Sequence, residues 1–462
     1  MPTPSLPFII TSGTEPTTTD AGQRRMIRSH VMRDKNRKKR PKRPVITGPA
    51  WWIHGDGETP TPRSGALPMP MKVGGEFSLT RFSAEMTPTT LATIRKLRYE
   101  MFPIEFTSAS PHNESSWFAP VWRDEACLRL TLYTTNTYLS SSSMTSPDKD
   151  RERYRSAALA HLSEALGILR KRLDSVADAN GDATSDSTVL IVVGLALASS
   201  ALGHLETASQ HVAGLRRMVR LRGGLAAFRG QTLLQSKICR ADIEVALATG
   251  RGPVMCPRVC WDPCMPSSGR PPSLAPEIQN YLENAEIRLL HIWNDLSEFV
   301  RAANIAQQCR RDIDTELYLE SMVSIHHRLV SLRCQGSYEA LRLGLLGFAS
   351  TLFLQWRNVK TRFEHLVKAL KQALMLTSDQ EIPSGLNLWL HIVGHICVFD
   401  HEESHSLKPA LVHLLYQYRI KSWVEVRHQM TSILWTDFLH ENAGKAIVEA
   451  VLHKGLCESL NS

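Results

Sequence analysis

Two clusters in this 462-residue chain have the residue types of metal chemistry. His401, Glu402 and His405 match H-E-x-x-H, which on a helix sets two imidazoles on one face to hold zinc and poises the glutamate as general base. The segment is polar throughout and runs on through Ser406-Leu407-Lys408-Pro409. That context predicts a surface loop between helices, with no third ligand in sight. Cys256, Cys260 and Cys264 follow one another at intervals of four. A structural zinc site needs a second pair of Cys or His to complete its tetrahedron; none follows, and Pro257, Pro263 and Pro266 break the segment. Phosphate-cradling loops of the G-x-x-x-x-G-K-[ST] type, a G-x-G-x-x-G turn and a G-x-S-x-G elbow are all missing. The residues therefore predict no enzyme, no metal site and no cofactor, with zinc hydrolysis at His401, Glu402 and His405 as the remote alternative.

The third cluster is cationic. Arg24, Arg25, Arg28, Arg33, Lys35, Arg37, Lys38, Lys39, Arg40, Lys42 and Arg43 stand against one acid, Asp34, so positions 24–43 carry +10 of a formal net charge of +9, and the remainder carries −1. A run such as KNRKKRPKRP suits two roles. It can serve as a nuclear import signal, and it can neutralise DNA phosphates with release of counterions. Phosphate contacts position a protein without reading bases, so nothing here specifies a DNA sequence.

Around these residues the chain divides into three. Residues 1–43 form the arm, in which Asp20 and Gln23 have capping-box spacing for a short basic helix. Residues 44–75 hold six prolines and six glycines, a density that favours a flexible connector and leaves the arm tethered and disordered. Residues 76–462 read as a large all-α body. Within it a helix is expected from near Asp124, a loop from the serine run Ser140 to Ser143 on to Pro147, and a second loop from Gly250 to Pro276. Three apolar stripes follow helical spacing: Leu202, Leu205, Ala208, Val212, Leu215 and Val219, stopped by Gly223 and Gly224; Tyr338, Leu341, Leu345, Phe348 and Leu352; and Trp423, Val426, Met430, Leu434 and Phe438. Such stripes face a core. His204 and His211, on the first stripe, read as surface or satisfied histidines, the competing possibility being a small-molecule pocket. The apolar run from Val189 to Gly203 is shorter than the ~20 residues of a membrane span and reads as a buried helix, so no membrane partner is expected. Nine scattered cysteines and an N-terminus without a secretory pattern suit reduced thiols inside a cell.

The segment FIITSGTEPTTTDAGQRRMIRSHVMRDKNRKKR, with its Arg28 to Met32 element, is similar to the N-terminus of the fungal-specific transcription factor family, in the branch that lacks the binuclear zinc cluster and whose members are sometimes labelled tachykinin family proteins. Ser185 to Leu197, His211 to Leu225, Asp242 with Arg251-Gly252-Pro253, Trp389 to Gly394 and Trp423 to Asp437 resemble later blocks of that family. The resemblance implies a nuclear regulator with an all-helical regulatory body and no catalytic residues. Relatives with the six-cysteine cluster read DNA through it, and that spacing is missing here. The expected partners are DNA, through its phosphate backbone, the nuclear import machinery, and a protein partner or a second copy in a homodimer. A co-regulator whose arm serves only for import is the alternative.

Overall fold

The structure, a computed structural model, describes residues 82–459 apart from 85, 98–100, 102–118, 143–147, 175–181, 256–257, 267–268, 270–273, 310, 312, 357–358 and 379–380. The basic arm, the proline-glycine linker and the helix expected after Asp20 lie outside the described residues. The body is all-α: among the described residues there are sixteen α-helices and no strand beyond a lone bridge between Trp356 and Val359. No described helix is long and apolar enough to cross a membrane.

The first group is α1 (Pro88–Lys96), α2 (Ala119–Arg123), α3 (Glu125–Ser142) and α4 (Asp148–Asp174), with α3 and α4 packed side by side. α3 starts where expected, because the Asp124 carboxylate accepts the Cys127 N–H at 3.1 Å and satisfies an orphan donor of the first turn. Its end differs from expectation. The helix runs on to Ser142, and the hydroxyls of Ser140 and Ser141 donate back to the carbonyl of Thr137 at 2.7 and 3.1 Å, so these serines meet their hydrogen bonds inside the helix instead of opening the loop.

α5 (Asp186–Ala201) is the buried helix of the apolar run, capped by Ser185, whose hydroxyl accepts the Thr188 N–H at 3.3 Å. It does not flow into the next stripe. Gly203 adopts φ 77°, and α6 (Leu205–Leu221) starts afresh, so Leu202 and Leu205 belong to different elements. Ala208, Val212, Leu215 and Val219 are buried along α6, and Gly223 and Gly224 end it at φ 99° and 91°.

α7 (Thr232–Thr249) joins the two halves of the body. Ile238 and Ala241 pack into an apolar cluster built with α3 to α6, while Ile243, Ala246 and Leu247 pack into the largest cluster, built by everything that follows. That second half comprises α8 (Pro276–Glu283), α9 (Ile287–Cys309), α10 (Thr315–Ser331), α11 (Ser337–Phe353), α12 (Glu364–Leu376), α13 (Ser384–Val393), a π turn at Gly394–Val398, α14 (His401–Gln417), α15 (Trp423–Ile433) and α16 (Asp437–Ser459). A third, smaller cluster gathers Ile94, Leu97, Met101, Trp122 and Leu132 around Trp356. α11 is buried on nearly every side, against α9, α10, α12, α13 and the π turn. The stripe that begins at Trp423 ends sooner than its spacing suggests: Leu434 is already extended, its carbonyl accepts the Trp389 indole N–H at 2.7 Å, and Phe438 belongs to α16.

The loop between Gly250 and Pro276 has the bounds its composition predicts, with Gly250 left-handed at the end of α7 and Pro276 opening α8. Two buried carboxylates pin it to the body. Asp242 accepts the Met255 N–H at 2.7 Å, and Asp295 accepts the N–H groups of Cys264 and Met265 at 3.0 Å each while pairing with Arg328.

Candidate functional site

α7 carries apolar residues around its whole circumference, as a helix between two cores must, yet it includes Lys237, Arg240, Asp242 and Glu244. Arg240 and Glu244 are one turn apart and pair at 2.8 Å, and a second nitrogen of Arg240 donates to the carbonyl of Leu354 at 2.5 Å. Burial pushes the Glu244 carboxyl up, against the pull of Arg240. Burial likewise raises the Asp242 carboxyl, against the backbone N–H bonds it accepts.

Beside this pair, where the cluster of α3 to α6 meets the one around Trp356, the helices leave a cavity of about 120 Å³. Leu97, Met101, Val121, Leu130, Leu190, Leu197 and Trp356 supply its apolar wall, and Cys127, Thr131, Thr134, Lys237 and Arg240 its polar groups. Burial, reinforced by the positive charge of Arg240, pushes the Lys237 ammonium down to about 7. The Cys127 thiol is pushed far up by burial and by Asp124, and its sulfur lies 3.7 Å from the Ser187 carbonyl it donates to. It is a protonated packing group, since the thiolate is the reactive form. The Thr131 and Thr134 hydroxyls donate back to the carbonyls of Cys127 and Leu130 at 2.7 and 2.6 Å. Gly194, which also lines the cavity, lets α5 approach α3 so closely that a Cβ there would meet Leu130 Cδ2 at 2.4 Å.

The motifs singled out in the sequence fall elsewhere. His401, Glu402 and His405 lie in the first turns of α14, not in a loop, because Asp400 caps the helix by accepting the Glu402 N–H at 3.0 Å. All three are exposed. The neighbouring Glu403 is the engaged carboxylate: Arg362 binds it at 2.9 Å and, by that hydrogen bond, holds it well below the usual carboxylate range. No three His, Cys, Asp or Glu side chains among the described residues stand close enough together to hold a metal ion. Cys260 is exposed beside Asp262, whereas Cys264 is turned inward against Asp295 and Arg328; Cys256 lies outside the described residues. His204 stands exposed at the start of α6 and His211 is half-buried along it, and neither lines the cavity. The cationic residues from Arg24 to Arg43 lie outside the described residues.

Sequence reasoning passed over Lys237, Arg240 and Glu244 because no motif contains them. Their signal is contextual: four charged side chains inside a run whose apolar residues fall on every helical face, two of them at the i, i+4 spacing of an ion pair. No protein-family model, no curated protein and no solved structure matches the chain.

Proposed function

We propose that the protein is a nuclear transcription regulator whose basic arm, from Arg24 to Arg43, contacts DNA phosphates and engages the import machinery, while the all-helical body serves regulation or partner binding. The observation that carries this reading is the segregation of charge: +10 lies within positions 24–43 and −1 in all the rest. A chain that uses its folded surface to bind a polyanion spreads its cations over that surface; here the whole excess sits in one segment. Each phosphate neutralised adds about 0.9 to the slope of log affinity against log salt. Replacing the eleven arm cations with glutamine should therefore flatten the salt dependence of duplex binding and abolish nuclear accumulation. Unchanged binding across a salt titration together with unchanged nuclear accumulation would overturn the reading.

One observation favours the co-regulator alternative. Leu159, Leu166 and Leu173 recur at sevenfold spacing along α4 and are 59%, 41% and 40% exposed. Residues seven apart stay nearly on one helical face, so this line is a seam against which another protein could pack. In that reading the arm serves import only, and the purified protein should bind naked duplex without a steep salt slope.

A further inference from the structure

We propose that the outer face of α4 is a homodimer interface, on which the same helix of a second copy lies antiparallel. The interface belongs to the helical body and stands whether or not the arm binds DNA. Its occupant is this chain itself, not a foreign protein.

α4 lies at the edge of the body. It packs chiefly against α3, and of its 27 residues only Ala158, Ala165 and Leu169 are buried. At 1.5 Å per residue it is about 40 Å long. Roughly a quarter turn round the helix from the buried face runs the exposed line of Leu159, Leu166 and Leu173. Ser156 and Ser163 alternate with these leucines, and Ala160 and Gly167 flank them, all four exposed. A glycine is costly in a helix interior, and a Cβ on Gly167 would meet nothing within 4 Å. Its own fold therefore makes no demand for glycine there, whereas a bare backbone lets a second helix approach closely.

A twofold interface has to be self-complementary, and this line is. Turned end for end about His161, it sets Glu152 against Arg170 of the second copy, Ser156 against Leu166 and Leu159 against Ser163, and symmetry repeats each pairing. Acid meets base and large meets small at every layer. Leu173 then lies beneath the methylene stem of the second copy's Lys149. The charged groups have capacity for this: Glu152 makes no ion pair or hydrogen bond among the described residues, and Arg170, its side chain 85% exposed, reaches only Asp174 at 3.7 Å. The one like-charged meeting, Asp148 with Asp174, falls at the ends, where each acid has an arginine of its own in Arg151 and Arg170. Parallel pairing would instead set Arg170 on Arg170 and Glu152 on Glu152. A foreign partner gives the line no reason to match its own reverse.

Sedimentation equilibrium of the full-length protein, from about 0.1 to 50 μM, tests this. The expected result is a reversible dimer of the 51.8 kDa chain with a dissociation constant of about 1 μM or tighter. Leu166→Glu, which brings a carboxylate into two apolar layers at once, should raise that constant at least about thirtyfold. Glu152→Arg and Arg170→Glu should each raise it about tenfold, because each sets like charges together twice. The double variant, with both charges reversed, should restore the wild-type value. Both side chains are exposed in the single chain, and a damaged fold would not be repaired by the second substitution. A monomer throughout the concentration range would overturn the proposal and leave the seam to a foreign partner. So would a dimer indifferent to Leu166→Glu, or one in which the two charge reversals have no effect or fail to cancel.

Discussion

At Asp295 one carboxylate takes the N–H groups of Cys264 and Met265 and the guanidinium of Arg328, and the side chains of the ion pair are 3% and 1% exposed. Removing one partner of such a pair leaves a buried charge without its counter-ion, at a cost of about 3–5 kcal/mol. Asp295→Ala should lower the unfolding free energy read from urea titration by that order, whereas the double variant Asp295→Leu, Arg328→Met should recover much of the loss. Neither residue announces this role in the sequence. Asp295 sits in an ordinary amphipathic stretch, and its partner lies 33 positions away on another helix. His401, Glu402 and His405 show the converse: a motif plain in the sequence occupies an exposed helix start. Spacing reports which residue types are present, and long-range packing decides which of them meet.

Helices themselves were largely legible, since apolar residues recur at three and four wherever a helix buries one face. What was misjudged is where they stop. Gly203 splits the first stripe, α3 runs on through Ser140 and Ser141, and Leu434 turns the chain before Phe438. Each boundary turns on local backbone torsions and side-chain hydrogen bonds, which periodicity does not register. Gly250 shows how strict such a position can be. It ends α7 at φ 73°, and a Cβ on it would fall 2.5 Å from the ring of His365. Gly250→Ala should destabilise the protein by about 1–2 kcal/mol in chemical denaturation. Since His365 is exposed and its ring can swing aside, adding His365→Ala should restore little of this, and a full restoration would show that contact, not torsion, was the cause.

Across the whole molecule, the all-α class followed from the scarcity of strand-like alternation, but the division into three apolar clusters and the cavity between two of them did not. Both depend on which helices pair, information spread over distant segments. One global property can still be derived from the buried histidines. His440 is enclosed between Thr351 and Thr436, each hydroxyl 2.8 Å from a ring nitrogen. Thr351 donates to Phe348 and so accepts from Nε2–H, leaving Nδ1 to accept from Thr436. Burial pushes its pKa down to about 3, as it pushes those of His326 and His395 down to about 4. Below about pH 6.5 the unfolded chain takes up protons that the folded chain refuses, so the stability these residues contribute is complete above that pH and drains away as pH falls toward the folded values. The buried carboxyls of Asp242 and Glu244, shifted upward, act in the opposite sense. For His440 alone the loss between pH 7 and 5 is about 2 kcal/mol. His440→Gln should shrink the difference in unfolding free energy between those two pH values by that amount, as read from urea titrations.

The burial of α11 on nearly every side also bears on how the chain is made. Its sequence, SYEALRLGLLGFASTLF, leaves the ribosome after α9 and α10 but before α12, α13 and the π turn that cover its other faces. During synthesis it is therefore a long apolar helix with half its shelter missing, the kind of surface that aggregates or is held by chaperones. Translation speed across residues 354–398, which supply those covers, should accordingly govern the yield of native protein more than changes on the finished surface do.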